Sequence, residues 1–424
     1  MQQTIAYTDD VAVARKLDNG MTVTIERLPH LHSCAVGVWI KTGSANETER
    51  QSGISHFLEH LLFKGTETRS ARELVEAVER KGGQLNAYTA RDYTCVYVKT
   101  LDTHVHTGIE ILADMVKHSK FCDLEKERNV VLEEIASIED VPEEFVHEIA
   151  AEKLWPDHPM GRGVSGIADR VAALSLGDIR EYFTAWYRPQ DMFFSIAGNF
   201  DETAVLDQVA KEFGPMTPGT ETERTGPPAY AHGVHIVPRD IAQNHLCMGF
   251  PGPRVQESRR YVYEVLNSAL GGGSMSRLFE RIREDEGLAY SIYSFHSAYQ
   301  TAGVLGVYAA VAPQNLRKTA DLAFEELRRF RDEPMSADEL DMNREQLKGN
   351  MLMALENTFV RMSRLAKSMM YFGRLIGTEE AIKAVDAVTV DDVQALAREI
   401  FQLDKALIVS LGPAEEPVFD SVPL

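Results

Sequence analysis

Apolar residues recur with the period of an α-helix in the segment from Gly53 to Lys64, which reads GISHFLEHLLFK. This period predicts a single apolar stripe, formed by Ile54, Phe57, Leu58, Leu61 and Leu62. His56, Glu59 and His60 then share the opposite side of the helix. Two imidazoles one turn apart can bind one Zn²⁺, and the carboxylate between them can act on water, in the order HxxEH. The alternative is a solvent-exposed helix surface rich in histidine and glutamate.

One order of predicted elements occurs twice along the chain. A capping box opens a helix at Ser175, and another opens a helix at Thr389. An apolar strand follows each helix, and these strands end at Gly198 and Gly412, so the distance from cap to glycine is 23 residues in both copies. We therefore predict a duplicated structural unit.

A change in composition separates the two copies. The stretch 214–233 is rich in proline, glycine, threonine and glutamate and has no apolar period, which indicates an interdomain linker. This division predicts an N-terminal domain over residues 1–213, with the HxxEH motif, and a homologous C-terminal domain over residues 234–424.

The predicted elements also indicate the fold class. Alternating apolar positions predict strands within 85–100 and 288–311, and longer helical segments are predicted over 124–138 and 337–372. Hairpin-like alternation without a regular strand-helix-strand order is typical of α+β domains. Each domain is therefore predicted to be an antiparallel β-sheet flanked by α-helices.

The predicted helix that follows Leu124 carries carboxylates on an apolar face, where Glu127, Val131, Glu134 and Ile138 lie together. A carboxylate in such a position is costly unless a cation pairs with it. Either a bound metal ion or a basic side chain from elsewhere in the fold would supply that cation. A catalytic zinc with two histidine ligands needs a third protein ligand, and this helix is the candidate source.

Three segments together resemble one known family. HFLEHLLFKGT begins at His56, GGQLNAYTARDYT at Gly82 and ERNVVLEEI at Glu127. In this order they resemble the inverzincin zinc metallopeptidases of the pitrilysin and insulinase type, and in particular the short-chain branch that contains mitochondrial processing peptidase and its bacterial homologues. The resemblance covers nearly the whole chain, including SRLFERIREDEGLAYSIYSF from Ser276. It implies a processing-peptidase-like metallohydrolase fold.

The resemblance also assigns roles to residues of the metal site. The ligands it implies for one zinc ion per chain are His56, His60 and Glu134. It makes Glu59 the general base that deprotonates the attacking water, and Glu127 a second acid that supports the site. The choice of Glu134 over its neighbour Glu133 rests on the motif alignment and on the face shared with Glu127.

Substrate contacts are implied at two further places. Asn86 and Ala87 match an edge strand beside the zinc, to which an extended peptide can add as another strand. Arg283 and Tyr290 match an arginine and a tyrosine that hold the scissile carbonyl and stabilise the oxyanion. Without the resemblance, these two residues would be interpreted as a helix-surface arginine and a core tyrosine.

Charge narrows the range of partners. The chain of 424 residues has 64 Asp and Glu against 44 Lys and Arg, which gives a formal net charge of −20. Such a field repels phosphate backbones and anionic membrane surfaces, so neither nucleic acid nor a membrane is an expected partner. It suggests a preference for basic peptides, and a role of the acids in solubility explains the same charge equally well.

Cysteine usage and targeting signals indicate the compartment. The four cysteines, Cys34, Cys95, Cys122 and Cys247, form neither a metal-binding pair nor a disulfide framework, and we expect reduced, buried thiols. Residues 1–10 show no secretory or organelle-targeting pattern, and the chain has no apolar run of the roughly 18 residues that a membrane-spanning helix needs. These features predict a cytoplasmic protein.

Together, the motifs and the resemblance predict a zinc-dependent endopeptidase that hydrolyses unfolded or extended peptides in a dimeric chamber. The family implies that Arg283 and Tyr290 complete the site of another chain, which predicts a homodimer, or a heterodimer with a homologous chain. One alternative is a non-catalytic or partner-dependent subunit of a heterodimeric processing peptidase. Another is a metal-dependent hydrolase of a non-peptide substrate, against which the predicted peptide-binding strand argues.

Overall fold

The structure is a computed structural model, which describes residues 12–413. The first ten residues, in which no targeting signal is predicted, lie outside the described part. The strands of the described residues are β1 (Ala12–Lys16), β2 (Thr22–Arg27), β3 (Ser33–Ile40), β4 (Gln84–Thr89), β5 (Thr94–Leu101), β6 (Met192–Gly198), β7 (Gly233–Pro238), β8 (Asn244–Pro251), β9 (Ala289–Ala298), β10 (Gly303–Val311) and β11 (Leu407–Gly412).

The α-helices of the same residues lie between these strands and strand pairs without a regular strand-helix-strand order, as predicted for an α+β fold. They are α1 (Ile54–Leu62), α2 (Ala71–Glu79), α3 (Val105–His118), α4 (Leu124–Glu139), α5 (Pro142–Leu154), α6 (Ala168–Ala173), α7 (Leu176–Trp186), α8 (Glu202–Phe213), α9 (Arg260–Gly271), α10 (Leu316–Asp332), α11 (Ala337–Ala354), α12 (Thr358–Phe372), α13 (Thr378–Asp386) and α14 (Val390–Ile400). A π-helix covers Phe279–Asp285.

The first sheet has six strands in the order β1-β2-β6-β3-β5-β4. All neighbouring strands are antiparallel except β2 and β6, which pair in parallel with Thr22 opposite Phe193. On one face the sheet packs against α1, α2 and α3 over a buried core. The other face packs against α12, where Met362 and Met370 contact the buried Trp39 and Phe193. Strand β4 is left at the edge.

The second sheet has five strands in the order β7-β11-β8-β10-β9, and only the pair β7 and β11 is parallel. Alternate residues of β8 point to its two faces. Leu246, Met248 and Phe250 enter the core formed with α9, α10 and α14. Cys247 points to the other face, where its Sγ lies 3.9 Å from Nδ1 of His147 on α5. Both sheets are therefore mainly antiparallel with one parallel pair, a detail absent from the prediction.

The chain forms two compact units, and each includes a helical segment from the other half of the sequence. The first unit consists of residues up to 135, 164–225 and 352–381, and the second consists of 136–163, 226–351 and 382 onward. Helix α12 thus belongs to the first unit and α5 to the second. The compact units differ at these segments from the contiguous halves predicted from composition.

The structure contains both of the helix-capping boxes predicted from the sequence. Both capping boxes are present, with the side chains of Ser175 and Thr389 accepting hydrogen bonds from the N–H groups of Asp178 and Asp392. The helical segment predicted over 337–372 consists of two helices, α11 and α12, which residues 355–357 separate. Residues 214–232 join α8 to β7 without regular secondary structure.

The thiol prediction holds for three of the four cysteines and is wrong for one. All four are free, and three are buried, but Cys122 is exposed in the turn that precedes α4. Within residues 12–413, the structure has no helix with the length and apolar character needed to cross a membrane.

Candidate active site

Helix α1 is positioned from its N-terminus and from its apolar side. Gly53, directly before the helix, has a φ of 90°, a left-handed conformation in which glycine has no steric cost. A Cβ at Gly53 would also lie 2.6 Å from Cγ2 of Val171. The buried carboxylate of Glu47 accepts hydrogen bonds from the N–H groups of Gly53 at 2.8 Å and Ser55 at 2.9 Å. The carboxylate caps the positive end of the helix.

The apolar stripe predicted for α1 is fully buried, with every member 0% exposed: Ile54, Phe57, Leu58, Leu61 and Leu62. Because that stripe is buried, the opposite side of the helix presents the motif residues. His56 and His60 lie there with ring centroids 4.7 Å apart. The alternative of a freely solvated histidine surface is not what the structure shows, since His56 is only 9% exposed.

Helix α4 brings one carboxylate against both imidazoles. Oε1 of Glu134 lies 3.5 Å from Nε2 of His56, and Oε2 of Glu134 lies 3.4 Å from Nε2 of His60. Within the described part of the chain, these three residues form the one group of histidine, cysteine and carboxylate side chains that could hold a metal ion. Glu133, the neighbouring acid, is exposed and outside this group.

The donor set fits a zinc ion. Two ligands with metal bonds of about 2.0–2.1 Å lie about 3.3 Å apart at a tetrahedral angle, close to the observed separations. Burial lowers the pKa of His56, the carboxylate of Glu134 opposes this shift and the neighbouring His60 adds to it, and the resulting pKa is about 4. The imidazole is therefore neutral and has a lone pair to offer. Two histidines and one carboxylate leave a fourth position for water or substrate.

Glu127 lies behind the candidate ligands and contacts two basic side chains. It is 3% exposed. Its Oε1 is 2.8 Å from Nζ of Lys64, and its Oε2 is 3.5 Å from Nδ1 of His60. Glu127 therefore contacts the ring nitrogen of His60 that faces away from Glu134, which is how outer-shell carboxylates orient histidine ligands. The sequence analysis considered a basic side chain as one possible partner for the carboxylates of this helix. For Glu127 that partner is Lys64.

Glu59 projects beside the candidate ligands and accepts a hydrogen bond. Oγ1 of Thr89 donates to Oε2 of Glu59 at 2.6 Å. Burial raises the pKa of Glu59, the hydrogen bond from Thr89 opposes this shift and the carboxylate of Glu134 adds to it, and the resulting pKa is about 7. A carboxylate with a pKa near neutrality is suited to accept and return a proton.

Asn86 and Ala87 lie on β4, the exposed edge of the first sheet. Oδ1 of Asn86 accepts a hydrogen bond from the N–H of Ala87 at 2.8 Å. Helix α1 packs against the same strand. The predicted peptide-binding strand is thus a sheet edge in contact with the helix that carries the HxxEH motif.

Arg283 and Tyr290 belong to the second compact unit, whereas the three candidate ligands belong to the first. The guanidinium of Arg283 lies 4.9 Å from the ring centroid of Tyr290, and Arg283 is part of the π-helix. Tyr290 is 82% exposed, so it is not a core tyrosine. The structure thus places Arg283 next to Tyr290 and leaves the side chain of Tyr290 exposed to solvent.

Sequence reasoning missed two residues that pair with carboxylates of the site: Lys64 pairs with Glu127, and Thr89 pairs with Glu59. Lys64 follows His60 by four residues and lies just beyond the end of α1, so its closeness to the motif along the chain is the signal that could have indicated it. Thr89 follows Asn86 by three residues on β4, and strand alternation places it on the other face from Asn86. Only the packing of β4 against α1 shows that Thr89 reaches Glu59.

Comparison with known proteins identifies the family. Residues 22–166 match the family model described as Insulinase (Peptidase family M16), and residues 173–347 match the one described as Peptidase M16 inactive domain. The chain is 39% identical over 391 residues to the Bacillus subtilis protein named Uncharacterized zinc protease YmxG, with 92% of this chain and 95% of that protein covered. The chain therefore belongs to the pitrilysin and insulinase family of metallopeptidases, peptidase family M16.

Two further comparisons extend over nearly the whole length. A Streptomyces coelicolor protein, also named an uncharacterized zinc protease, is 36% identical over 415 residues, with 94% of this chain and 89% of that protein covered. The crystal structure of a protease from Helicobacter pylori superposes with a TM-score of 0.87 at 24% identity, with 95% of this chain and 99% of that chain covered. This likeness shows that the fold is the two-domain fold of M16 peptidases, as predicted.

Proposed function

We propose that this chain is a zinc-dependent endopeptidase with one zinc ion per chain. The observation that carries the proposal is that His56 and His60 of α1 converge with Glu134 of α4. The carboxylate of Glu59 lies on α1 between the two histidines. The names of the curated relatives support the same activity. The pairing of Glu127 with His60 supports a designed metal site, because ligand-orienting carboxylates accompany metal-binding histidines.

The residues divide the reaction between them. Zinc at this site would supply Lewis acidity toward the scissile carbonyl and lower the pKa of a water molecule. Glu59 accepts the proton of that water and delivers it to the leaving amine, since its pKa of about 7 suits both transfers. His56, His60 and Glu134 would hold the zinc ion, and Glu127 orients the ring of His60.

Peptides are the proposed substrates because the site lies beside an open sheet edge. A peptide added to β4 would be bound through its main chain, so an unfolded or extended segment is required and its sequence matters less. The net charge of −20 supports basic peptides as the preferred class. The free state of the four cysteines agrees with a reducing compartment, and we propose the cytoplasm.

Metal removal tests the activity. A quenched basic peptide should be cleaved by the purified protein, and dialysis against a chelator should abolish cleavage. One equivalent of Zn²⁺ per chain should restore it, as measured by fluorescence and by elemental analysis. Zinc binding without any cleavage would contradict the proposal. It would favour a partner-dependent or non-catalytic subunit, a role that the match of residues 173–347 to an inactive-domain model also fits.

We further propose that the working form is a dimer in which Arg283 and Tyr290 of one chain act on the peptide bound by the other. A homodimer is the simplest form, and a homologous chain could replace the second copy. Mixing a His60→Ala chain with an Arg283→Ala chain should restore up to one complete site per mixed dimer. Tagged chains purified through both tags provide verified mixed dimers, and an absence of recovery in them would contradict action in trans.

A further inference from the structure

Thr89 occupies a position that no metal or substrate role explains so far. It is the last residue of the edge strand β4, and its hydroxyl donates to Oε2 of Glu59 at 2.6 Å. Within residues 12–413, the hydroxyl of Thr89 is the group that donates a hydrogen bond to the carboxylate of Glu59. The orientation of the candidate base's carboxylate therefore depends on the end of a strand as well as on its own helix.

The register of the hairpin shows which main-chain groups of β4 are free to bind a peptide. Hydrogen-bonded and non-hydrogen-bonded pairs alternate along an antiparallel ladder. The N–H of Ala90 donates to the carbonyl of Tyr93 at 2.8 Å, so this pair is of the hydrogen-bonded kind. Thr89 opposes Thr94 one step further along and is of the other kind. The main-chain groups of Thr89, and of Ala87 two residues before it, therefore point outward from the sheet.

The contact of Asn86 with the strand agrees with this register. The N–H of Ala87 has no partner on β5 and is satisfied by the carboxamide of Asn86. A carbonyl of an added peptide strand would replace that carboxamide. Side chains of Leu85 and Ala87 pack with the core on the α1 face, whereas Tyr88 packs on the opposite face. Thr89 thus presents its main chain to the open edge and its side chain to α1.

We propose that Thr89 is a positioning residue that couples an added peptide strand on β4 to the orientation of the Glu59 carboxylate. A peptide that pairs with the edge fixes the main chain of Thr89. The hydroxyl of the same residue then fixes Glu59 at the moment when substrate is present. This inference rests on the proposed peptidase activity.

The test separates the hydroxyl from the shape of the side chain. Thr89→Val removes the donor and keeps the volume, and kcat should fall about 10- to 100-fold while KM changes by less than about twofold. Thr89→Ser keeps the donor and should stay within about threefold of the wild-type kcat. Zinc content and the affinity of the metal-free protein for a labelled peptide should be the same in all three proteins.

Thr94→Val is the matched control, because it removes a threonine hydroxyl from the opposing position, where Oγ1 donates to the carbonyl of Thr42 at 3.0 Å. It should keep the wild-type kcat. Thermal melting verifies that each variant is folded, and Thr89→Ala replaces Thr89→Val if the latter is not.

Several results would overturn the coupling. They are an unchanged kcat in Thr89→Val, an equal loss in Thr89→Ser, or a rise in KM alone. A zinc-loaded wild-type protein that cleaves no peptide would instead refute the peptidase proposal, and this coupling with it. An active wild type with an insensitive Thr89 refutes the coupling only.

Discussion

Replacing Glu134 by glutamine should strip zinc from the purified protein and lower peptide hydrolysis to below about one thousandth of the wild-type rate, because a catalytic zinc requires three protein ligands. The carboxylate of Glu134 bridges the space between the two imidazoles, at 3.5 Å from His56 and 3.4 Å from His60. An amide of the same shape keeps the packing of α4 and removes the negative charge that the cation needs. Elemental analysis and competition with a fluorescent chelator measure the loss of affinity.

Glu133→Gln provides the matched control. Glu133 directly precedes Glu134 in the same helix turn and carries the same charge. It is exposed and lies outside the candidate metal cluster. This variant should bind one zinc per chain and cleave peptide at the wild-type rate. A loss of zinc in Glu133→Gln with retention in Glu134→Gln would show that α4 presents its other face when the metal binds. Retention in both would place the third ligand elsewhere.

Helix α1, which carries the HxxEH motif, was predictable because its determinants are local. The stripe that begins at Ile54 has the helical period, so burying it leaves one orientation for His56, Glu59 and His60. The capping boxes at Ser175 and Thr389 are equally local, because a side chain and a main-chain N–H three residues away suffice to form them. Such features require no knowledge of the remaining chain.

Other features depend on which distant segments meet. Helices α5 and α12 each cover a sheet formed mainly by the other half of the sequence, and no local pattern records that exchange. Parallel pairing of β2 with β6 likewise joins residues about 170 positions apart. Thr89 shows the same limit of sequence-based prediction at the site, because neither its residue type nor its place in the strand pattern distinguishes it from any other threonine at a strand end. Its hydrogen bond to Glu59 depends on the contact between β4 and α1.

The position of Lys64 illustrates an intermediate case. The sequence left a metal ion or a basic side chain open as the partner for the carboxylates of α4, and the structure contains candidates for both. Lys64 pairs with Glu127 at 2.8 Å, and the two histidines surround Glu134. The two acids on this face differ in their surroundings: Glu127 is buried and pairs with Lys64 as well as His60, whereas the side chain of Glu134 is 43% exposed and contacts both histidines.

Glu59→Gln should reduce kcat by about 10²- to 10⁴-fold, the range that a positioned general base contributes. The amide keeps the size of the side chain and can still accept the hydrogen bond from Thr89, but it cannot take a proton from water. Glu59 is not among the three candidate ligands, so the variant should retain one zinc per chain. It should also bind the quenched peptide with wild-type affinity, because the edge of β4 is unchanged.

The comparison of Glu59→Gln with Glu134→Gln distinguishes the base from the ligand. Both variants should lose most of their activity, but only Glu134→Gln should lose its metal, and both should remain folded by circular dichroism. Substantial activity in Glu59→Gln with zinc bound would show that another group deprotonates the attacking water. Zinc in the wild type and in Glu59→Gln, with activity in neither, would place the missing component outside this chain, since His56, Glu59, His60 and Glu134 already lie together within it.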